Sequence, residues 1–576
     1  MRLILGTIIF WLTILGFKKL IEDKFKIEKH FTLALSFTMI GIVMFLAGIL
    51  NMMNLTAILL IISGVGYFGY SLYKDKPKVK TLKKKLLKPS VIIPIVIFTY
   101  ITLIGMGMHL THYDNFSHWG LIIKNMFIDS ALPNFEDTMI MFKGYQPGSA
   151  CFIYFYGLLA GKAEGTMIIA QNYLIFAYLT VLFGFIKENN KALKNILITA
   201  FYIFIMTVSI KFNDLLVDSL ISTMSIASLA ILYNYRKDLK KGFMYSLPIS
   251  IFLLLVKNTG LLLAGFNCLY MLYIAFKNKE LKKGIKYVVI TGITLLVFLL
   301  IWQNHVKLVF GDLALNSKHS LSTENIILSL RTKGWDNIFT FIKSYFFHLF
   351  TFKDNITNIY ILIINAILLL FTFSEKDKKE RKKLLLLTGT VDIIYLGYYG
   401  ILGGMYLLSM PWEEAKIFAS YERYMTTIII IIIGIIFLYF LSYKEKKHNF
   451  KVASITMIVL MLSTIYLFQS NFSGLFGNDG YKGSQVEKYD QILSNYKISE
   501  EKTYYIYSPS SKNDFSFLYH LSVYKLNTSK IEMIYDKEDL PVDKTGVLIF
   551  IDKDQDVIEE ALHADWITKT NYILEK

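Results

Sequence analysis

The side chains best suited to chemistry lie in His109–Trp119 and in Tyr145-Gln146-Pro147-Gly148. Asp114 follows a strongly apolar run, 91–108. Partial desolvation at a water–lipid boundary raises a carboxyl pKa toward values useful in proton transfer. A positioned base of this kind is worth about 10²–10⁴-fold in rate. His118 and Trp119 follow Asp114, Lys143 stands two residues before Tyr145, and Pro147 closes the second segment. Asp214 and Asp218 form a second acidic site, Lys257 marks a later turn, and Arg423 lies in Tyr421-Glu422-Arg423-Tyr424. A base for a hydroxyl and cations for a departing phosphate are what sugar transfer from a polyprenyl phosphate requires.

These groups must be positioned by membrane-spanning elements. The chain is 54% hydrophobic and 18% charged, and many apolar runs approach the roughly 20 residues that cross a bilayer. Fourteen candidate spans lie near 3–17, 31–50, 55–73, 91–108, 167–186, 196–210, 215–233, 244–256, 260–276, 287–303, 356–373, 384–402, 424–442 and 451–468. Strict alternation puts the lysine-rich turns 18–29, 74–88, 187–194, 236–241, 277–286, 376–383 and 444–451 on one side. Basic turns stay in the cytoplasm, so 109–166, 211–214, 257–259, 304–355, 403–423 and everything after 468 belong outside. The net charge of +17 therefore points to anionic lipid, not to nucleic acid. The alternation requires Gly148–Ala160 to be a non-spanning helix at the outer interface. Trp335–Phe350 reads as an amphipathic helix on the membrane surface.

After about residue 470 the character changes. Short β-type runs at 503–508, 531–535 and 546–551 alternate with polar segments, as in a small α/β-type domain. The expected architecture is an all-α polytopic membrane protein with interfacial helices and that domain. A three-span N-terminal extension (1–90) precedes a transmembrane core (91–469) and the extracytoplasmic α/β domain (470–576). Cys151 and Cys268 make neither a disulfide framework nor a metal motif. The apolar run after Arg2 lacks a small-residue cleavage site and reads as a retained span. Lysine-, isoleucine- and asparagine-rich usage suggests a bacterial cell membrane.

Three pieces carry a family resemblance. They are Tyr113-Asp114-Asn115-Phe116-Ser117-His118-Trp119; Tyr145-Gln146-Pro147-Gly148 with Phe155-Tyr156-Gly157-Leu158-Leu159-Ala160-Gly161-Lys162-Ala163-Glu164-Gly165; and Val217-Asp218-Ser219-Leu220-Ile221. They resemble motifs of GT-C-fold glycosyltransferases of family 39, the protein O-mannosyltransferase and aminoarabinose-transferase group. The first is similar to the acidic motif of that family's first external loop. The second resembles its Tyr-Pro-Pro segment and following Leu-Phe-Gly-x-Ser-Glu-like turn, and the third its second acidic site. The resemblance spans roughly 91–300. It implies a GT-C-like core, Asp114 as catalytic base, a donor pocket shaped by 145–148, and Asp218 supporting the site or a metal. It also implies an inverting transferase using a polyprenyl-phosphate sugar donor and an extracytoplasmic glycan, glycolipid or protein acceptor. His118, Trp119, Lys143, Tyr145, Pro147, Lys257 and Arg423 are the expected substrate-binding residues. Mg²⁺ or Mn²⁺ between Asp114 and Asp218 is an open cofactor reading. The chain departs from the family in Asn115, where a second acid is usual, in Gln146, where a proline is usual, and in three spans ahead of the motif span.

Plainer readings exist for each residue. Asp114 is a preferred N-cap for the amphipathic stretch 115–127, and Asp218 for the span that follows it. Tyr145–Gly148 contains a Pro-Gly turn signal, and Lys143, Lys257 and Arg423 have the form of snorkelling interfacial cations. His109, His112, Asp114 and His118 follow no standard zinc spacing. His118 reads better as a hydrogen-bond partner of sugar or phosphate. Asp392, inside an apolar span, has Thr390, Tyr395, Tyr398 and Tyr399 close in sequence as partners. Two other functions suit such a chain. One is a transporter or flippase of lipid-linked sugars, which would place ionisable groups within spans. The other is an O-antigen-type polymerase or ligase working through loop 304–355 with His305, His319 and Arg331.

Overall fold

The computed structural model describes residues 1–76, 79–135, 137–186, 190–208, 212–311, 323–353, 355–442, 447–467 and 474–576. His319 and parts of the turns 187–194, 211–214 and 444–451 lie outside them. The first helices are α1 (Arg2–Phe25), α2 (Thr32–Ile49), α3 (Met53–Asp75), α4 (Val79–Leu86) and α5 (Pro89–Gly105). A π-helical turn, Asn115–Trp119, leads into α6 (Gly120–Asp129), α7 (Gly148–Ala160), α8 (Glu164–Leu179) and α9 (Lys191–Val208). Then come α10 (Asp218–Asn234), α11 (Leu239–Val256), α12 (Gly260–Lys277), α13 (Leu281–Phe310) and α14 (Thr323–His348). The helical part ends with α15 (Ile356–Ser374), α16 (Lys378–Leu408), α17 (Trp412–Ala415), α18 (Tyr421–Leu441) and α19 (Lys447–Leu467).

Each of the fourteen apolar runs is helical, and among the described residues eleven of these helices are long and apolar enough to cross a membrane. The other three are α5 and α10, of 17 residues each, and α19. The molecule is a multi-pass helical membrane protein. Its outer helices show apolar side chains to the surroundings, as Ile58, Leu59 and Ile62 on α3 and Ile293, Leu296 and Leu300 on α13 do. Only a hydrocarbon solvent makes such faces stable.

The turns segregate by composition. At one end Asn234 Nδ2 donates to Glu28 Oε2 (3.2 Å), and Tyr245 Oη donates to the Phe25 carbonyl (2.9 Å). This end carries the lysine-rich turns 18–29 and 236–241. At the other end of α10, Asp218 meets Lys257 and Arg423. A 17-residue helix separates these ends by about 25 Å.

Helices α1 and α2 join the core, and α3 packs on the outside of α1. A Cβ on Gly16 would lie 1.8 Å from the Gly64 carbonyl oxygen, so α1 and α3 touch backbone to backbone. Thr7 Oγ1 lies 2.7 Å from Tyr156 Oη on α7. Helix α7 is almost wholly buried among its neighbours. Asp392 finds its partner on the preceding helix, α15, where Asn365 Nδ2 donates to it at 2.7 Å. The tyrosines near it in sequence bond elsewhere, as Tyr395 does to Asn358 Oδ1 (2.5 Å). Helix α14 breaks at Gly334 (φ 71°). Beyond the break Ile338, Phe341 and Tyr345 face inward while Trp335, Phe339, Ile342 and Phe346 stay exposed. That apolar outer face suits a helix at a membrane surface.

The C-terminal domain contains α20 (Gln485–Leu493), β1 (Tyr504–Tyr507), α21 (Phe517–Leu526), β2 (Ile531–Ile534), β3 (Val547–Phe550), α22 (Gln555–His563), β4 (Ile567–Thr570) and β5 (Ile573–Glu575). Its sheet runs β2-β1-β3-β5-β4. The first three strands are parallel, whereas β5 pairs antiparallel with both β3 and β4. The three β-type runs of the sequence are β1, β2 and β3. The final hairpin, with its largely exposed β4, has no such apolar signature. Helix α21 sits directly on the Asp114 segment: Phe116 packs against Phe517 and Tyr524 (5.8 and 5.2 Å between ring centroids), and Tyr113 against His520 (5.1 Å). Lys525 ties the domain down between Glu164 (3.2 Å) and Asp490 (2.9 Å).

Candidate functional site

Asp114 immediately precedes the π-helical turn, and its carboxylate makes no capping bond to that turn. Instead Arg423 Nη1, from the first turn of α18, donates to Asp114 Oδ2 at 2.5 Å. Arg423 Nε stands 3.9 Å from Asp218 Oδ2, and Lys257 Nζ is 2.6 Å from Asp218 Oδ1. Charges thus alternate from Asp114 through Arg423 and Asp218 to Lys257 with no net charge. Four segments far apart in sequence contribute to this chain. Tyr424 completes it, its ring flanked by Lys257 (5.2 Å) and Arg423 (5.1 Å). The Asp114 side chain is 28% exposed and that of Asp218 only 5%, so only Asp114 is open to a substrate.

Asn115 supports this arrangement. Its Nδ2 donates to Asp214 Oδ1 (3.1 Å), and its Oδ1 accepts from the Leu215 backbone N–H (3.1 Å). The amide therefore clamps the turn before α10 onto the Asp114 segment. Asp214 serves that clamp and does not join the ion-pair chain. An amide can accept and donate at once, which a second carboxylate here could not do.

Beside the ion pairs lies a small cavity, with room for about one water molecule, walled in part by His118, Trp119, Gln146, Pro147, Ser149 and Leu215. Gln146 Nε2 donates to Asn258 Oδ1, tying the wall to the Lys257 turn. Gly148 is required there, since a Cβ would lie 2.5 Å from the Leu255 carbonyl oxygen at the end of α11. Tyr145 links cavity and charges: its ring is 4.6 Å from that of His118, and it lies in the fields of Asp114 and Arg423. Burial raises the Tyr145 phenol above its usual pKa, which keeps it a hydrogen-bond donor. Lys143 stands apart, with its ammonium over the Phe310 ring (5.2 Å) beside a second small cavity.

The four candidate metal ligands do not converge. His109 Nδ1 contacts Asp479 (3.1 Å), His112 Nδ1 accepts the Asp114 backbone N–H (3.1 Å), Asp114 pairs with Arg423, and His118 turns into the cavity. A divalent cation shared by Asp114 and Asp218 does not fit either, because the Arg423 guanidinium interacts with both carboxylates. Among the described residues no group of three His, Cys, Asp or Glu could hold a metal ion.

Burial pushes the His118 pKa from 6.5 down to about 3. The unfolded chain binds a proton below pH 6.5 while the folded protein does not until about pH 3. Stability is therefore lost as pH falls through this window. Between pH 7 and pH 5 the His118 contribution is about 2 kcal/mol. Thermal melting should show a smaller acid-induced decrease for His118→Phe than for wild type. An equal decrease would refute a neutral, buried imidazole.

Sequence reasoning had assigned no role to Tyr424 or Asn115, and had noted Gln146 only as a departure from the family pattern. The oddness of Asn115 and Gln146 was the available signal. No protein-family model, curated protein or solved structure matches the chain.

Proposed function

We propose that the protein is an inverting glycosyltransferase of the GT-C kind. It moves a sugar from a polyprenyl-phosphate donor to an extracytoplasmic glycan, glycolipid or protein, with its site on the outer face of the cell membrane. The observation that carries this reading is the Asp114–Arg423 pair, an open carboxylate held against a guanidinium. The acceptor oxygen attacks the anomeric carbon and its proton passes to Asp114. The bond from the anomeric carbon to the phosphate oxygen breaks, and its electron pair leaves with the phosphate. Arg423 and Lys257 meet that charge. One displacement inverts the anomeric centre and leaves no sugar on the enzyme. His118, Trp119, Tyr145 and Pro147 line the substrate side, and Asp218 orients the two cations.

The test is transfer by purified protein in lipid, given radiolabelled polyprenyl-phosphate sugars and crude envelope acceptors. Label appearing in an acceptor supports the transferase. Label crossing the bilayer without transfer identifies a flippase. Label accumulating in lengthening lipid-linked chains identifies a polymerase.

A further inference from the structure

Asp479 lies in the turn that opens the C-terminal domain, and its side chain is only 12% exposed. Gly477 (φ 82°) and Gly480 (φ 73°) turn the backbone on either side of it, in left-handed conformations that glycine adopts without strain. The carboxylate serves the segment that leads into Asp114. Its Oδ2 accepts the His109 backbone N–H (2.8 Å) and lies 3.1 Å from His109 Nδ1. The Asp479 backbone carbonyl accepts from Thr111 Oγ1 (3.0 Å) and from Asn213 Nδ2 (2.9 Å), and Asn213 Nδ2 also donates to the His109 carbonyl (2.8 Å). His109 and Asn213 each stand five residues ahead of an acid of the site, Asp114 and Asp218. The other side of the turn is fixed to the domain. Asp479 Oδ1 accepts the Tyr481 N–H (3.0 Å), the Tyr481 ring stacks on His109 (3.8 Å between centroids), and Tyr481 Oη donates to Asp490 (3.1 Å), which also holds Lys525.

Bonds within the Asp114 segment are local: the Asp114 N–H goes to His112 Nδ1, and the Asn115 N–H to the His112 carbonyl. Such bonds shape a turn but do not fix where it stands against α18, which carries Arg423. Bonds from other elements must do that. Glu164 accepts the Leu110 N–H (2.8 Å), and Asn115 joins the segment to Asp214 and Leu215. Asp479 joins both acid-bearing segments to the C-terminal domain. We infer that Asp479 is a positioning residue for Asp114. It locks residues 109–114 to the turn before α10 and to the C-terminal domain, and so keeps the carboxylate within reach of Arg423. The domain is then part of the frame of the site. That the carboxylate so held acts as a base rests on the proposed function; that Asp479 holds it does not.

The experiment is hydrogen–deuterium exchange of the full-length protein in nanodiscs, with sugar transfer and thermal melting measured on the same preparations. Wild type is compared with Asp479→Ala, with Asp479→Asn, which keeps one acceptor oxygen, and with Thr111→Val, which removes the hydroxyl that meets the Asp479 carbonyl. Lys525 and the packing of α21 still hold the domain, so all three should fold. Loss of a charge-assisted hydrogen bond should speed exchange of the amides of 109–115 and of Leu215 by about tenfold in Asp479→Ala, and by less in the other two. Exchange in α18 should not change. The kcat for transfer should fall about tenfold in Asp479→Ala and partly recover in Asp479→Asn. KM for the donor should hold, because Arg423 and Lys257 lie on other elements; a merely structural loss would move KM and melting together. Wild-type exchange over 109–115 in folded Asp479→Ala and Thr111→Val proteins would overturn the inference and leave the proposed function standing. Faster exchange with unchanged kcat would overturn the positioning role. Absence of transfer by wild type would overturn the proposed function, and exchange would then decide whether Asp479 holds the segment.

Discussion

Asp114→Asn should lower kcat for sugar transfer by about 10²–10⁴-fold while leaving the protein folded. The amide keeps the shape of the carboxylate and can still accept from Arg423 Nη1, but it cannot take the acceptor's proton. The lost ion pair is partly exposed, so stability should change by only about 1 kcal/mol. The KM for donor should hold or fall, because Arg423 is then free of a competing carboxylate. That split distinguishes a base from a structural group, whose loss would raise KM and lower the melting temperature together. Transfer within threefold of wild type, in a mutant shown to be folded, would exclude Asp114 as the base. Asp218→Asn should behave differently. Its carboxylate is nearly inaccessible and holds Lys257, so its loss should act through cation placement, raise KM, and lower stability.

Arg423→Met should be the most damaging single change to the site. It removes the cation that interacts with Asp114 and Asp218 together. Breaking this partly exposed pair costs about 1 kcal/mol, since much of the Asp114 charge stays solvated. Asp218 keeps Lys257, so Asp114 is the group left without a cation. The double variant Asp114→Asn/Arg423→Met should therefore recover part of the lost stability, a coupling that a double-mutant cycle in detergent would measure. Charge-assisted hydrogen bonds contribute about 1.5–3 kcal/mol, so affinity for bare polyprenyl phosphate should fall about 10–100-fold. Arg423→Lys should restore part of that affinity, because a lysine supplies the charge without the planar fork. Wild-type lipid affinity in Arg423→Met would remove the guanidinium from phosphate binding.

Much of this was legible in the chain. The apolar runs marked each of the eleven described helices long and apolar enough to cross a membrane, because a residue facing hydrocarbon must be apolar whatever its neighbours are. Two of the lysine-rich turns, 18–29 and 236–241, meet at one end of the bundle. Val, Ile, Tyr and Phe marked β1 and β3, which are buried, and the partly exposed β2, while exposed β4 carried no such mark. Of the candidate residues, Asp114, Asp218, Lys257 and Arg423 meet as a group, His118, Trp119 and Pro147 line one cavity, and Tyr145 packs against His118. Lys143 and Asp214 do not belong to the charge chain, and their residue types alone could not have excluded them.

Pairing is what local sequence cannot encode. Asp114 looks like an N-cap from its neighbours, and only the approach of α18, 309 residues away in sequence, makes it the partner of a guanidinium. The same approach puts Arg423 where a divalent cation had been an open reading. The docking of α21 over Phe116 and the His118 cavity likewise arise from helices meeting across long separations. Hydropathy and charge act residue by residue against the solvent, so the sequence by itself determined a polytopic helical protein and the small sheet that follows it. An ion pair or a cavity depends on how distant surfaces fit together, so which acid is accessible and which cation it meets were decided only by the tertiary structure.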